Sequence, residues 1–221
     1  MAESGVARLL IVRHGATTNN AEGRFTGQSA APLSPLGRRQ VEALAARLRE
    51  TPIDTIVSSD LPRAQESARM LAEGRGRKLT LDPDLREVSL GEWEGLTAAE
   101  ARLRDPELFH DWRHDGLRHA PPQGETVEQL ATRVRQAWNR WHAGSSSGGT
   151  TIWVTHGGVI SILLCDALGL PLSQRALFRR DNASITEIAR ERGGLVVVRV
   201  NDTAHLESLG PIGLVEARQV L

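Results

Sequence analysis

The chain has 221 residues and a formal net charge of zero at pH 7, with 27 basic and 27 acidic side chains. This balance argues against a general binder of nucleic acid or of membrane surfaces. No apolar run approaches a membrane-spanning length and the N-terminus shows no signal-peptide pattern, so we expect a cytoplasmic protein. The length predicts a single domain over residues 1–221, and the lone Cys165 excludes a disulfide within the chain.

The N-terminal half alternates short apolar runs with segments of helical period. Residues 9–12 predict a strand buried on both faces, which ends at Arg13-His14-Gly15. Ser34 followed by Pro35 is typical of a helix start. The predicted elements are a strand at 9–12, a helix from 35 to about 50, a strand at 53–57, a helix capped by Ser59 or Asp60 and running to about 73, and a strand at 79–81.

The C-terminal half continues the alternation after an irregular stretch. Residues 85–95 form a glycine-punctuated acidic segment, and Pro106 and Gly116 break residues 97–120 into short helices. The elements predicted beyond it are a long helix beginning at Glu125 or Thr126, a flexible connector at 144–149, a strand at 150–155, a buried helix at 159–168, and a hairpin of strands at 185–189 and 195–200. The whole pattern predicts an α/β fold, a three-layer α/β/α sandwich with a mostly parallel central sheet and a small helical cap insertion at about 97–123.

Basic side chains follow three of the predicted strands. Arg13 and His14 end the first strand, Arg63 lies at the start of the helix after the second, and His156 follows a strand rich in β-branched residues. Ligands bind outside the carboxyl ends of such strands, so we expect these side chains to share a pocket with Glu87 of the acidic segment. A neutral imidazole is a nucleophile for phosphorus, arginines stabilise phosphoryl oxygens, and a carboxylic acid protonates the leaving oxygen. The set indicates phosphoryl transfer without a metal.

Six ordered blocks of the sequence resemble the histidine phosphatase superfamily, which has the phosphoglycerate-mutase-like fold. The resemblance covers almost the whole chain, from about Arg8 to His205. One triplet alone would be weak evidence, whereas six blocks at the family spacing are specific. The blocks are Arg13-His14-Gly15 with Asn20 at its expected offset, Arg24 to Gln28 with Pro32 to Gly37, Ser58 to Ala64, Leu85 to Glu87 with Gly91 to Gly95, Gly124-Glu125-Thr126, and Thr155 to Gly158.

The resemblance implies a role for each matched residue. His14 would become a phosphohistidine, and Glu87 would protonate the leaving group and then activate water. Arg13, Arg63 and His156 would bind the phosphoryl oxygens. It also implies that no cofactor or metal is needed and that the helical cap closes over a small phosphorylated substrate. Further substrate-binding positions that it implies are Asn20, Thr26, Gly27, Gln28 and the backbone N–H of Gly157.

The superfamily contains both phosphatases and cofactor-dependent mutases, and the sequence favours the former. The glycolytic mutases that it resembles follow the acid with Arg-His-Tyr, whereas Val88-Ser89-Leu90 follow Glu87 here and the chain has no tyrosine. The chain is also shorter than those mutases, with the loss in the insertion. We therefore expect a phosphomonoester hydrolase that acts on small phosphorylated metabolites through a phosphohistidine, with a cofactor-dependent phosphoglycerate mutase as the alternative.

Several alternatives stay open at this stage. Glu92 and Glu94 compete with Glu87 as the proton donor, while Asn20, Thr26 and Gln28 are also typical of residues that only order a loop. A third functional class is a binding protein of the same family that has no catalytic activity. The sequence also leaves open whether the protein forms a homodimer. His110 and His114 have the spacing of metal ligands on one helix face, which keeps a metal-dependent hydrolase as a remote reading. Residues that could meet the rest of the substrate, or simply lie in the core or on a charged face, are Trp93, Phe109, Trp112, Trp141, Arg102, Arg104, Arg113 and Arg118.

Overall fold

A computed structural model describes residues 6–145, 148–192 and 194–210. Its six strands form one mixed sheet in the order β3-β2-β4-β1-β5-β6. The first four strands run parallel to one another, whereas β5 is antiparallel to β1 and β6 is antiparallel to β5. The strands are β1 (Ala7–Arg13), β2 (Thr55–Ser58), β3 (Leu79–Leu81), β4 (Gly149–Thr155), β5 (Ile185–Glu191) and β6 (Gly194–Asp202).

Helices cover both faces of this sheet, so the predicted three-layer α/β/α sandwich is confirmed. Leu9 and Ile11 of β1 point into one core, where they pack with the long and the buried helices of the C-terminal half. Leu10 and Val12 point into the other core, with the two helices of the N-terminal half. The helices are α1 (Thr18–Ala21), α2 (Pro35–Arg47), α3 (Pro62–Ala72), α4 (Ala98–Arg104), α5 (Pro106–His114), α6 (Val127–Gly144) and α7 (Gly157–Leu168).

The start of α3 corrects one prediction. Neither Ser59 nor Asp60 caps this helix; Leu61 occupies the N-cap position and Pro62 begins the helix. The Ser59 hydroxyl instead contacts the ring of His156, and the Asp60 carboxylate accepts a hydrogen bond from Arg86 Nε at 2.6 Å. Both predicted caps are therefore engaged in long-range contacts, and the fixed φ of proline at the first turn starts the helix without them.

Other boundaries differ by a few residues from the predictions. Helix α2 ends at Arg47 rather than near residue 50, and α7 begins at Gly157 rather than at 159. The hairpin strands are longer than predicted, and Gly193 of the predicted turn lies outside the described residues, as does part of the predicted connector. Cys165 is buried in α7 as expected, and no helix in the described ranges is long and apolar enough to cross a membrane.

Two helices, α4 and α5, occupy the predicted insertion, and α5 packs through aromatic side chains. Trp93 lies 5.4 Å from Trp112 and 5.6 Å from Phe109 between ring centroids, and Phe25 closes the cluster from the first loop. Trp93 is fully buried and Trp112 nearly so, and Trp141 packs separately against Trp138. These tryptophans are thus core residues, which is the alternative that helical spacing favours.

The register of the sheet brings four chain segments to one edge. Arg13 at the end of β1 lies opposite Thr155 at the end of β4, and Ser58 of β2 lies opposite Val154. Strand β5 runs the other way, so its first residue, Ile185, pairs with Val12. The segment that precedes β5 therefore approaches the same edge as the ends of β1, β2 and β4.

Candidate active site

His14 follows β1 at this edge and is 3% exposed. Its Nδ1 lies 2.7 Å from the carbonyl oxygen of Gly15, and because a carbonyl can only accept, Nδ1 carries the proton. Nε2 is thus the unprotonated nitrogen, and it accepts a hydrogen bond from Arg63 Nε at 3.1 Å. Burial, followed by the charges of Arg63 and Arg13, holds the pKa of His14 well below its usual range. The ring is therefore neutral at pH 7 and has the free lone pair that a nucleophile requires.

Two buried arginines flank this ring, and backbone carbonyls hold both of them. Arg63 donates from Nη2 to the carbonyl of Gly27 at 2.7 Å and from Nη1 to that of Ser29 at 3.1 Å. Arg13 donates from Nη1 to the carbonyl of Arg180, and its Nε is buried without an acceptor in the described part of the chain. Burial lowers the pKa of each of these two arginines to about 10, so both remain cations at neutral pH.

His156 contacts Arg63 from the opposite side. A guanidinium can only donate, so His156 Nδ1 accepts from Arg63 Nη2 at 3.1 Å, and its Nε2 carries the proton. That Nε2 donates to the hydroxyl of Ser59 at 2.8 Å. The rings of His14 and His156 lie 5.0 Å apart between centroids, and burial with the Arg63 charge holds the pKa of His156 well below its usual range. One arginine therefore bridges two neutral imidazoles.

Glu87 is the carboxylate of this pocket, and the N-terminus of α7 holds it. Its Oε2 accepts the backbone N–H of Gly158 at 3.1 Å, and its Oε1 accepts that of Val88 at 2.9 Å. The N-terminal end of a helix favours a negative charge, so this contact fixes the carboxylate in place. The Glu87 charge is also the strongest influence that opposes the burial effect on the pKa of Arg13 and of Arg63.

Arg133 on α6 donates hydrogen bonds to backbone carbonyls on and around Glu87. It donates to the carbonyl of Arg86 at 2.6 Å, of Glu87 at 2.8 Å and of Asp84 at 3.1 Å. Its partner is Glu125, at 2.8 Å, which also accepts the backbone N–H of Ser89 at 2.9 Å. This ion pair is largely buried, so it fixes the loop that presents Glu87 although neither side chain touches His14. Neither residue was among the predicted site residues.

The predicted loop residues 26–28 contact the pocket in different ways. Gly27 has φ +50° and no room for a side chain, since a Cβ there would lie 2.2 Å from a Glu94 oxygen. Gln28 donates from Nε2 to the carbonyl of Glu87 at 3.0 Å. The Thr26 hydroxyl is buried and has no partner within the described ranges. The loop therefore positions Arg63 and Glu87 through its backbone and the Gln28 amide.

Asn20 and Gly157 are the remaining two of the predicted substrate-binding residues. Asn20 Oδ1 accepts the backbone N–H of Thr17 at 3.0 Å and closes the capping box of α1, which leaves its Nδ2 as the group that could meet a ligand. Gly157 is the first residue of α7, and a Cβ there would lie 3.7 Å from Arg13 Cζ. Its N–H is one of the helix-terminal donors that favour anions.

The segment before β5 adds three residues that the sequence did not indicate. Asn182 donates from Nδ2 to the carbonyl of His14 at 3.1 Å, and Ala183 N–H donates to the same carbonyl. Arg180 provides the carbonyl that holds Arg13. The only sequence signal for these residues was the polar run that precedes the predicted hairpin. Periodicity did not show that the first strand of this hairpin, β5, runs antiparallel to β1.

The rival carboxylates are held by other groups. Glu92 pairs with Arg104 on the insertion. Glu94 accepts the backbone N–H of Gln28 at 2.7 Å, and its charge opposes the burial effect on the pKa of Arg63, but it is not held at the N-terminus of α7 as Glu87 is. His110 and His114 meet edge to face on the exposed side of α5, with 4.2 Å between their ring centroids. Among the described residues no group of three histidine, cysteine or carboxylate side chains is arranged to hold a metal ion.

Comparisons to known proteins identify the family of this chain. A family model for the histidine phosphatase superfamily (branch 1) matches residues 9–203. The chain belongs to this superfamily. A histidine phosphatase superfamily relative from Yersinia enterocolitica, named probable phosphoglycerate mutase GpmB, is 32% identical over 206 residues, which cover 90% of this chain and 95% of the relative.

Solved structures of phosphatases share the fold. A putative α-ribazole-5'-P phosphatase from Escherichia coli K-12 is 27% identical with a TM-score of 0.84, over 89% of this chain and 97% of that one. A mycobacterial glucosyl-3-phosphoglycerate phosphatase, solved with VO3, is 34% identical with a TM-score of 0.77, over 88% and 98%. These neighbours confirm the fold of the superfamily. The two solved structures are named as phosphatases, whereas the Yersinia relative is named a probable mutase.

Proposed function

We propose that this protein is a metal-independent phosphomonoester hydrolase that works through a phosphohistidine on His14. The observation that carries the proposal is the tautomer of His14, because its Nδ1–H is bonded to the Gly15 carbonyl and its Nε2 lone pair faces Arg63. A neutral nucleophile between two buried cations suits a phosphoryl dianion. The names of the solved neighbours support the same class of reaction.

In the first step Nε2 of His14 attacks phosphorus and the bond from phosphorus to the ester oxygen breaks. Arg63 Nε, which donates to the ring nitrogen in the free enzyme, then donates to a phosphoryl oxygen. The Nε of Arg13, which has no acceptor among the described residues, is a second donor. Glu87, in its protonated form, gives its proton to the leaving alcohol oxygen. His156 and the helix-terminal N–H of Gly157 supply the remaining contacts to the phosphoryl group.

In the second step water attacks the phosphohistidine. The Glu87 carboxylate, now deprotonated, takes a proton from that water, the bond from phosphorus to nitrogen breaks, and inorganic phosphate leaves. His14 returns to its neutral form with the lone pair on Nε2. Glu87 is thereby ready to protonate the next leaving group, so one carboxyl group serves both steps.

A cofactor-dependent mutase is the alternative, since the Yersinia relative is named a probable phosphoglycerate mutase. A mutase must bind the rest of its substrate in two orientations while keeping water from the phosphohistidine. The positions after Glu87 are Val88, Ser89 and Leu90, and the first and last of these are buried apolar side chains. They offer no cation at that side of the pocket, which favours hydrolysis.

Hydrolysis of a generic phosphate ester by wild-type, His14→Ala and His110→Ala enzymes, with and without chelator, tests the proposal. We expect no measurable activity for His14→Ala, full activity for His110→Ala, and no effect of chelator. The wild type should also form an acid-labile, alkali-stable phosphoryl adduct. Activity that survives in His14→Ala, or that is lost completely in chelator, would contradict the proposed mechanism.

The reaction type is tested with 3-phosphoglycerate in the presence and absence of 2,3-bisphosphoglycerate. We expect phosphate release that does not depend on the bisphosphate. Rapid bisphosphate-dependent formation of 2-phosphoglycerate, faster than phosphate release, would assign the mutase reaction instead. A screen of small phosphorylated metabolites then identifies the substrates with the highest kcat/KM.

A further inference from the structure

Gln40 is a polar side chain on the buried face of α2. It is 1% exposed and shares this face with Val41 and Leu44. A buried amide is costly unless its polar atoms are hydrogen-bonded. Its Oε1 accepts the backbone N–H of Ala16 at 2.9 Å, so a side chain of α2 reaches the loop that carries His14.

The Ala16 N–H belongs to the same peptide unit as the Gly15 carbonyl. This peptide is planar and trans, so its N–H and its carbonyl point in opposite directions. On one side the N–H is bound to Gln40, and on the other the carbonyl oxygen lies 2.7 Å from Nδ1 of His14. Because the unit is rigid, a contact that fixes its N–H also fixes its oxygen. Gln40 therefore helps to determine where the acceptor of the His14 proton lies.

Helix α2 also holds the other side of Ala16. The Ala16 carbonyl accepts the backbone N–H of Ser34 at 2.8 Å and the Ser34 hydroxyl at 3.1 Å. Gly37 permits this approach, since a Cβ there would lie 2.0 Å from the Ala16 oxygen. The Gly15 N–H, in contrast, belongs to the preceding peptide and donates to Ser67 of α3 at 3.3 Å. The two peptides that follow His14 are thus bound by different helices.

We propose that Gln40 is a positioning residue for the nucleophile, which holds the Gly15 carbonyl against Nδ1–H of His14 throughout the reaction. This assignment rests on the proposed phosphohistidine. In the free enzyme Arg63 Nε also donates to the ring, and in the proposed first step that donor passes to a phosphoryl oxygen. The Gly15 carbonyl is then the contact that keeps the ring in place and its proton on Nδ1.

The contact gains strength as the new bond forms. The Nε2 lone pair of His14 makes the bond to phosphorus, and because Nδ1 keeps its proton, the ring acquires a positive charge. A hydrogen bond from a charged donor is stronger than one from a neutral donor, so the Gly15 carbonyl stabilises the charged ring more than the free imidazole. The bond from Ala16 N–H to Gln40 polarises the same peptide and makes its oxygen a better acceptor. Removal of the Gln40 oxygen should therefore slow the attack more than it weakens substrate binding.

Two substitutions of Gln40 provide the test. Gln40→Met removes the acceptor and keeps a side chain of similar size, whereas Gln40→Glu keeps an oxygen at the same position. In a rapid-mixing assay with saturating p-nitrophenyl phosphate, we expect Gln40→Met to slow the burst by about 10-fold, the rate equivalent of one hydrogen bond. The half-saturating ester concentration should stay within about twofold, and Gln40→Glu should recover most of the rate.

Ser67→Ala is the matched control, because it frees the N–H of the neighbouring peptide rather than that of Ala16. Its burst rate should stay within about twofold of the wild type. Nitrogen-edited NMR of the imidazole rings with bound vanadate, a mimic of the transferring phosphoryl group, reports the contact itself. We expect a slowly exchanging, downfield Nδ1–H signal from His14 in the wild type and in Ser67→Ala. In Gln40→Met this signal should move upfield and exchange faster.

The outcomes separate this inference from the proposed function. An unchanged Nδ1–H signal in Gln40→Met, a full burst rate in that variant, or an equal loss of rate in Ser67→Ala would overturn the inference. If Gln40→Met does not fold, Gln40→Asn provides the same measurements, because its amide is one methylene too short for the Ala16 N–H. Phosphoenzyme formation by His14→Ala would instead show that the proposed function is wrong, whatever the Gln40 variants do.

Discussion

Replacement of Gly158 by alanine is expected to disable Glu87 without removing it. A methyl group at this position would lie 2.3 Å from Oε1 of Glu87 and 3.2 Å from Cδ2 of Leu130. Ordinary contact begins at 3.4 Å, so the carboxylate must retreat by about 1 Å. A misplacement of this size costs about 100-fold in rate, which corresponds to about 2.7 kcal/mol of transition-state stabilisation.

The loss should depend on the leaving group, because Glu87 acts in the first step by protonating it. Rapid-quench measurement of phosphoenzyme formation would compare an alkyl ester, glycerol 3-phosphate, with p-nitrophenyl phosphate. We expect the alkyl ester to react about 100-fold more slowly in Gly158→Ala. The burst of p-nitrophenolate should fall by less than about 10-fold, since this anion leaves with little need for a proton.

Gly144→Ala is a suitable control. It is also a glycine in a helix, but a Cβ there would have no neighbour within 4 Å, so both rates should match the wild type. Equal slowing of the two esters in Gly158→Ala would mean that the methyl group disturbs the phosphoryl site rather than the acid. Unchanged rates with both esters would mean that the acid is not at Glu87, and either result would refute the reasoning.

Three further variants or conditions test the remaining parts of the site. His14 and His156 stay neutral in the folded protein but protonate in the unfolded chain, so the free energy of unfolding should decrease as the pH is lowered below 6.5. Each ring should contribute about 1.4 kcal/mol per pH unit to this decrease. Denaturant titrations at several pH values measure it, and His14→Gln should show a pH dependence that is smaller by the contribution of one ring. Ser59→Ala leaves the Nε2–H of His156 without its acceptor and should cost about 1–3 kcal/mol of stability in the same titrations. Arg133→Met frees the loop of Glu87, and we expect it to lower kcat and alter its pH profile while KM for p-nitrophenyl phosphate stays within about twofold; an unchanged pH profile would restrict Arg133 to a purely structural role.

Much of the fold and the centre of the site followed from the sequence. The apolar runs that become β1, β2 and β4 are short and bounded by polar residues, and parallel strands necessarily bring their carboxyl ends to one edge. That rule alone placed His14 and His156 in one pocket. The choice of Glu87 over Glu92 and Glu94 depended on the family resemblance, because no period or cap signal distinguishes these carboxylates within the acidic segment.

The rest depended on contacts between residues distant in the chain. Arg133 lies outside the apolar stripe of α6, so the sequence pattern assigns it only to the polar face of the helix. In the structure its side chain donates to the carbonyls around Glu87. Serine is a common helix cap, yet the hydroxyl of Ser59 accepts a hydrogen bond from the ring of His156 instead. Arg180 was missed because a hairpin pattern does not state which neighbour its first strand joins, and only antiparallel pairing with β1 brings this residue to the site.

Backbone carbonyls, rather than carboxylates, hold Arg13 and Arg63, and this explains how the pocket retains its positive charge. Arg63 is bonded to the carbonyls of Gly27 and Ser29, and Arg13 to that of Arg180. A carbonyl satisfies a buried N–H but carries no net charge, so the guanidinium retains its full positive charge for a ligand. A carboxylate in the same position would neutralise the arginine and compete with the phosphoryl oxygens. Backbone acceptors therefore prepare the site for a dianion, and the strain of burying these cations is relieved when that dianion binds.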